Sequence, residues 1–221
     1  MNPHQSAKRP PVTRFTMKRT VTLSSHQAMQ IAHRFYEPTK SFLWQVEVLA
    51  ASIDHALTPD IASAMVTRVM DDYQRRVQDE AERLRSGLEA NGMDPNALAE
   101  PEQTQRVTFS ITTPLISRWV ALLIQFDQLN QLMDTAWLTG VCSSSWRKHE
   151  SYAFRKGMGH VTGRIRQISE RLKRIPKGMD PNWQELGYMP DEELDVLLSR
   201  QESARAAEAD AEPEDQAAVA R

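Results

Sequence analysis

The sequence predicts a mainly α protein with a short β-ribbon, and three observations lead there. Residues 13–23 alternate almost strictly: Arg14, Thr16, Lys18, Thr20 and Thr22 fall on one face, Phe15, Met17, Val21 and Leu23 on the other. A period of two with an apolar underside is a half-buried strand. Residues 105–112 repeat the design, with Arg106, Thr108, Ser110 and Thr112 opposite Val107, Phe109 and Ile111. Both strands run into helix-start signals, and long amphipathic helices follow each. The expected order is β-α-α-α, then β-α-α.

That order is the plan of a ribbon-helix-helix-like module, in which two antiparallel strands form a ribbon backed by a shared helical core. The two strands can pair within one chain or between two, and the sequence leaves both open.

The elements follow in order. Residues 1–12 are polar, basic and interrupted by Pro3, Pro10 and Pro11, which reads as a flexible arm. Ser24 and Ser25 are N-cap residues for a first helix to Tyr36, which buries Ala28, Ile31, Ala32 and Phe35. Pro38 is expected to end it, because proline lacks the N–H and clashes with the preceding turn. Thr39-Lys40-Ser41 would then open a second helix carrying Phe42, Leu43, Val46, Leu49, Ala50 and Ile53 at helical spacing. Thr58-Pro59-Asp60 starts a third helix that runs to about Gly92, with the stripe Ile61, Met65, Val69, Tyr73, Val77, Ala81, Leu84 and Leu88.

After the second strand, Thr113-Pro114 supplies an N-cap with proline at the first helical position. The helix to Leu138 is the most apolar of the chain, with Trp119, Leu122, Leu123, Phe126, Leu129, Met133 and Trp137 on its buried face. Asp127 and Asp134 share an edge of it; lacking a base at metal-ligand spacing, they read as solvated carboxylates. Gly140 stops the helix. Ser143-Ser144-Ser145 begins a last one, which continues to about Ile175 despite Gly157, Gly159 and Gly163, glycines that allow a close crossing or a kink. Residues 13–177 thus form the domain, and residues 178–221 an acidic, mostly disordered tail with a short helix over Asp191–Arg200.

The net charge of −2 hides a segregation. No acid occurs before Ser24. The span 146–177 carries ten Lys and Arg against Glu150 and Glu170, and the tail reverses sign. Such separation suits a nucleic-acid footprint followed by an acidic extension, although solvated helix faces produce it too. One cysteine, Cys142, allows no intrachain disulfide and no thiolate zinc cluster. No apolar run approaches the ~20 residues of a membrane span, and the N-terminus lacks a signal-peptide core, so a cytoplasmic location without membrane contact is expected. There is no Gly-rich phosphate loop, nucleophile elbow or His/Glu metal pair. Neither enzyme activity nor a cofactor or metal is expected.

A ribbon displaying Arg, Lys and Thr can enter a major groove and meet base edges. Lysines also serve simply to protect strand edges. On the DNA reading, Arg14, Thr16, Lys18 and Thr20 read bases, with Arg106, Thr108 and Ser110 on the partner strand. Thr39, Lys40 and Ser41 at one helix start, and Arg147 and Lys148 at another, would hold phosphates. Cations in a first helical turn oppose the helix dipole, so something other than helix stability should favour Arg147 and Lys148.

The run Phe109-Ser110-Ile111-Thr112-Thr113-Pro114-Leu115-Ile116-Ser117-Arg118, followed by Leu122-Leu123-Ile124-Gln125-Phe126-Asp127-Gln128-Leu129 and Asp134-Thr135-Ala136-Trp137-Leu138-Thr139-Gly140-Val141, resembles the AcaB-like family. These are regulators and related proteins of conjugative plasmids and integrating conjugative elements. The resemblance covers roughly residues 12–177, and its most specific block is a core pattern. It implies a ribbon-helix-helix DNA-binding activator of conjugative-transfer genes. The expected partners are double-stranded promoter or operator DNA, further copies of the chain in a homodimer or higher oligomer, and RNA polymerase. The alternative is an accessory protein of the DNA-transfer machinery, without a transcriptional role, using its acidic tail and the charged face of residues 58–92 to bind partners.

Overall fold

The computed structural model describes residues 15–52, 58–96, 98–175 and 196. The arm, Arg14 and, apart from residue 196, the acidic tail with its expected short helix lie outside them. The order is β1 (Met17–Leu23), α1 (His26–Ser52), α2 (Thr58–Ala90), β2 (Gln105–Ile111), α3 (Pro114–Leu138) and α4 (Ser144–Leu172). The fold is mainly helical with one two-stranded antiparallel sheet, as the periodicities predict.

One correction concerns α1. The segment read as two helices is a single helix with Pro38 inside it. Pro38 is exposed, so the carbonyl of Arg34, deprived of its N–H partner, faces the solvent side, where water can satisfy it. The flanking apolar positions Ile31, Ala32, Leu43 and Val46 all enter the same core. Their burial outweighs the roughly 3 kcal/mol that an interior proline costs. The order is therefore β-α-α twice.

The ribbon forms within the chain. Its register pairs Met17 with Ile111, Lys18 with Ser110, Arg19 with Phe109, Thr20 with Thr108, Val21 with Val107, Thr22 with Arg106 and Leu23 with Gln105. Thr20 and Thr108 are each the fourth residue of a seven-residue strand and lie opposite one another. An approximate twofold axis through that pair exchanges β1 with β2, Lys18 with Arg106 and Thr22 with Ser110. The same two-residue spacer follows each strand: Ser24-Ser25 before α1, Thr112-Thr113 before α3. The helices obey the exchange as well, with α1 packed chiefly along α4 and α2 along α3. Thr39 meets Thr162 and Gln45 meets Ser169, so α1 and α4 run parallel.

Two carboxylates, each from the other half's helix, hold the strand-to-helix joints. Asp127 on α3 is only 4% exposed and accepts from the backbone N–H of Ser24 (3.0 Å) and Ser25 (2.7 Å). It is not the solvated edge residue that its spacing to Asp134 suggests. Ser25 then caps α1, its hydroxyl accepting from Ala28 N–H at 3.2 Å. On the other side Glu47 of α1 accepts from the Thr113 side chain and Leu115 N–H at the start of α3; burial pushes its carboxyl up, and these two hydrogen bonds pull it partly back. Thr113 also caps α3 through Ile116 N–H.

The helices α2 and α4 meet within the core at Tyr73 and Gly157. The Tyr73 hydroxyl donates to the Phe154 carbonyl at 2.8 Å, and burial pushes its phenol well up, so it remains a donor. A Cβ on Gly157 would lie 2.7 Å from Tyr73 Cε2. Of the three glycines in α4, this is the one that a close crossing requires.

Two stability outcomes follow from this geometry. Asp127→Ala should lower the unfolding free energy by about 2–4 kcal/mol, since it leaves buried N–H groups unpaired. Gly157→Ala should lower it by about 1–2 kcal/mol, with overpacking against an anchored ring outweighing the helix-propensity gain. Urea unfolding followed by circular dichroism reads both, and an unchanged midpoint in either would refute the packing described for that residue.

Candidate nucleic-acid interface

The pleat sorts the ribbon into two faces. Val21, Leu23, Val107, Phe109 and Ile111 point toward the helices, with Leu23 and Phe109 fully buried. Tyr36 packs its ring edge-on against Phe109 at 4.8 Å and lies 6.2 Å from Trp119. Its hydroxyl donates to the Ser110 carbonyl (2.8 Å) and accepts from the Ser110 N–H (2.6 Å). Those backbone groups therefore point away from β1, and Tyr36 closes the outer edge of β2 at that position.

The other face carries Lys18, Thr20 and Thr22 of β1 beside Ser110, Thr108 and Arg106 of β2. All are exposed except Ser110, which is half-buried. The hydroxyls of Thr20 and Thr108 hydrogen-bond at 3.0 Å across the strand pair. Lys18 and Arg106 stand at opposite ends, each next to a hydroxyl: Lys18 beside Ser110, Arg106 beside Thr22. The face is thus a row of donors and hydroxyl acceptors with a cation at either end. Thr16 is exposed just ahead of β1, and Arg14 lies outside the described residues. Beside the ribbon Phe15 is 88% exposed and Met17 is also open, so the leading end of β1 is solvated on both faces.

The residues expected to hold phosphates fare differently. Because α1 is continuous, Thr39, Lys40 and Ser41 are not at a helix start, and their N–H groups belong to the interior of a helix. Thr39 is 0% exposed, with its hydroxyl 3.0 Å from that of Thr162. Lys40 pairs with Glu37 at 2.6 Å and lies over the Tyr36 ring. Ser41 accepts from Gln45. The basis for a phosphate site there is gone.

At α4 the helix start is real, with the Ser143 hydroxyl accepting from Trp146 N–H. Arg147, however, reaches back to α3: it donates to Asp134 at 2.5 Å and its guanidinium covers the Trp137 ring at 4.3 Å. Trp137, 38% exposed, is therefore a platform rather than a core residue. This partnership explains a cation in the first turn without any ligand. Lys148 is exposed. Phe35 of α1 meets α4 at Gly159. Lys148 lies eleven residues, roughly 16 Å, before that point, and His26 lies roughly 13 Å before it on the parallel helix. Along the helix axis Lys148 is therefore roughly level with the β1–α1 joint.

Among the described helices none is long and apolar enough to cross a membrane. No protein-family model matches the chain, and no curated protein matches it. Among solved structures it is similar to the crystal structure of AcaB from uropathogenic E. coli, with a TM-score of 0.69 and 22% sequence identity over 72% of this chain and 82% of that one. The likeness is one of fold.

The different settings of Arg147 and Lys148 have a measurable consequence. Arg147→Ala, which strips Asp134 and Trp137 of their partner, should cost about 0.5–1 kcal/mol of stability. Lys148→Ala should stay within about 0.5 kcal/mol of the parent. Paired thermal melts distinguish the two, and equal destabilisation would contradict the different settings.

Proposed function

We propose that this chain is a sequence-specific double-stranded DNA-binding protein that regulates transcription, reading the major groove with its intrachain ribbon. The observation that carries the reading is the face Lys18-Thr20-Thr22 and Arg106-Thr108-Ser110, exposed but for the half-buried Ser110, on a ribbon whose other face is anchored in the core through Leu23, Phe109 and Ile111. A two-stranded ribbon fits the width of a major groove. Lysine and arginine donate to guanine O6 and N7, and threonine offers a hydroxyl to either base edge and a methyl to that of thymine. Lys148, exposed in the first turn of α4 and without the acidic partner that holds Arg147, would meet a flanking phosphate.

Regulation of conjugative-transfer genes, as an activator, follows from the family resemblance of the sequence, and the fold likeness to AcaB supports it. In that role the chain works as a binding protein in the cytoplasm with no cofactor and no reaction of its own. RNA polymerase would be the further partner an activator needs.

Lys18→Ala combined with Arg106→Ala should weaken binding to the specific site by about 1–3 kcal/mol for each base edge that is no longer read. The fold should be unaffected, since both side chains are exposed. Fluorescence anisotropy with promoter DNA of the surrounding mobile element, beside random DNA across a salt series, reads the effect. Binding by the double variant equal to the parent would remove the ribbon from the interface. A parent with equal affinity for promoter and random DNA would point to the accessory role instead.

A further inference from the structure

We infer that a single copy of this chain reads an imperfect inverted repeat centred on the Thr20–Thr108 pair, with Lys18 and Ser110 facing one half and Arg106 and Thr22 the other. This rests on the DNA-reading role proposed above. The ribbon needs no second chain, because both of its strands come from one. Its register places the middle residue of each strand opposite the other, so the reading face carries its own twofold axis. Position by position the exchange matches like with like: Lys18 with Arg106, Thr20 with Thr108, Thr22 with Ser110. A duplex also has twofold axes running through its grooves. A symmetric reader in the groove presents the same groups to the same positions of the two DNA strands, and such a reader selects a sequence that repeats in inverted order.

The match is chemical rather than identical, and that determines where the repeat should be imperfect. Arginine offers a planar fork suited to bidentate contact with guanine, whereas lysine is a compact point charge that tolerates more arrangements. Lys18 and Thr22 are four residues apart, roughly 13 Å along the strand, or about four base-pair steps at 3.4 Å per step. The two cations therefore bracket a core of about five base pairs, with the Thr20–Thr108 pair over its centre. The half under Arg106 should be the more stringent at its outer position.

The test is selection of bound duplexes from a randomised pool by the full-length chain, followed by native mass spectrometry on the shortest selected duplex. The expected result is an inverted repeat that departs from symmetry at the outer position, with one chain bound per repeat. Lys18→Arg should then select a repeat matched at that position, and Arg106→Ala should relax one half only, with about tenfold weaker binding to the parent site. A selected sequence without inverted symmetry, or two chains on one minimal repeat, would overturn the inference and leave DNA reading in place. No enrichment over the random pool would overturn the DNA reading itself.

Discussion

The ribbon keeps its register because both of its strand-to-helix joints are pinned by carboxylates from the opposite half. Asp127 takes the N–H groups of Ser24 and Ser25, and Glu47 takes Thr113 and Leu115 N–H. An isolated two-stranded ribbon is marginal in water. Here each strand continues into a helix whose start is held by a helix of the other half, so the ribbon is tied at both ends to one core. Carboxylate-to-N–H hydrogen bonds are the stronger kind, and a negative group at a helix start is favoured by the dipole. Moving either helix would pull a strand out of register.

That reciprocity belongs to a larger pattern in which the chain is two β-α-α halves facing each other. In a dimer of identical chains, counterpart residues of the two halves must be the same. Within one chain they are free to differ, and here several do. At the α2–α4 crossing a tyrosine packs on a glycine, which brings the helix backbones close while Tyr73 fills the space. On the ribbon, lysine stands where its counterpart is arginine. Pro38 interrupts the hydrogen bonding of α1 with no equivalent in α3. The halves thus share the backbone symmetry of the strand pair and differ in side chains along the ribbon, at the helix crossing and at Pro38.

The cations divide along the same logic. Arg147, Arg118 and Lys40 are held by Asp134, Asp71 and Glu37 and belong to the scaffold. Lys18, Arg106 and Lys148 are exposed and belong to the surface that a polyanion would meet. Charge counted along the sequence mixes these two populations.

Local pattern was enough for the ribbon faces, the starts of α1, α3 and α4 and most of the apolar stripes, because alternation and capping act within a few residues. The sequence also carried the family likeness that the fold shares. Other features were settled only by long-range packing. Pro38 stays inside a helix because apolar residues on both sides of it are buried together, a gain that no local rule weighs. That continuity removed Thr39, Lys40 and Ser41 from a helix start, and Asp134 claimed Arg147. Asp127 is a buried latch rather than a solvated edge because a segment about a hundred residues earlier presents its N–H groups there. Which strand pairs with which, and the axis that pairing creates, rested on residues some 88 positions apart coming together. The local pattern can propose two strands, but only the shared core can place them side by side.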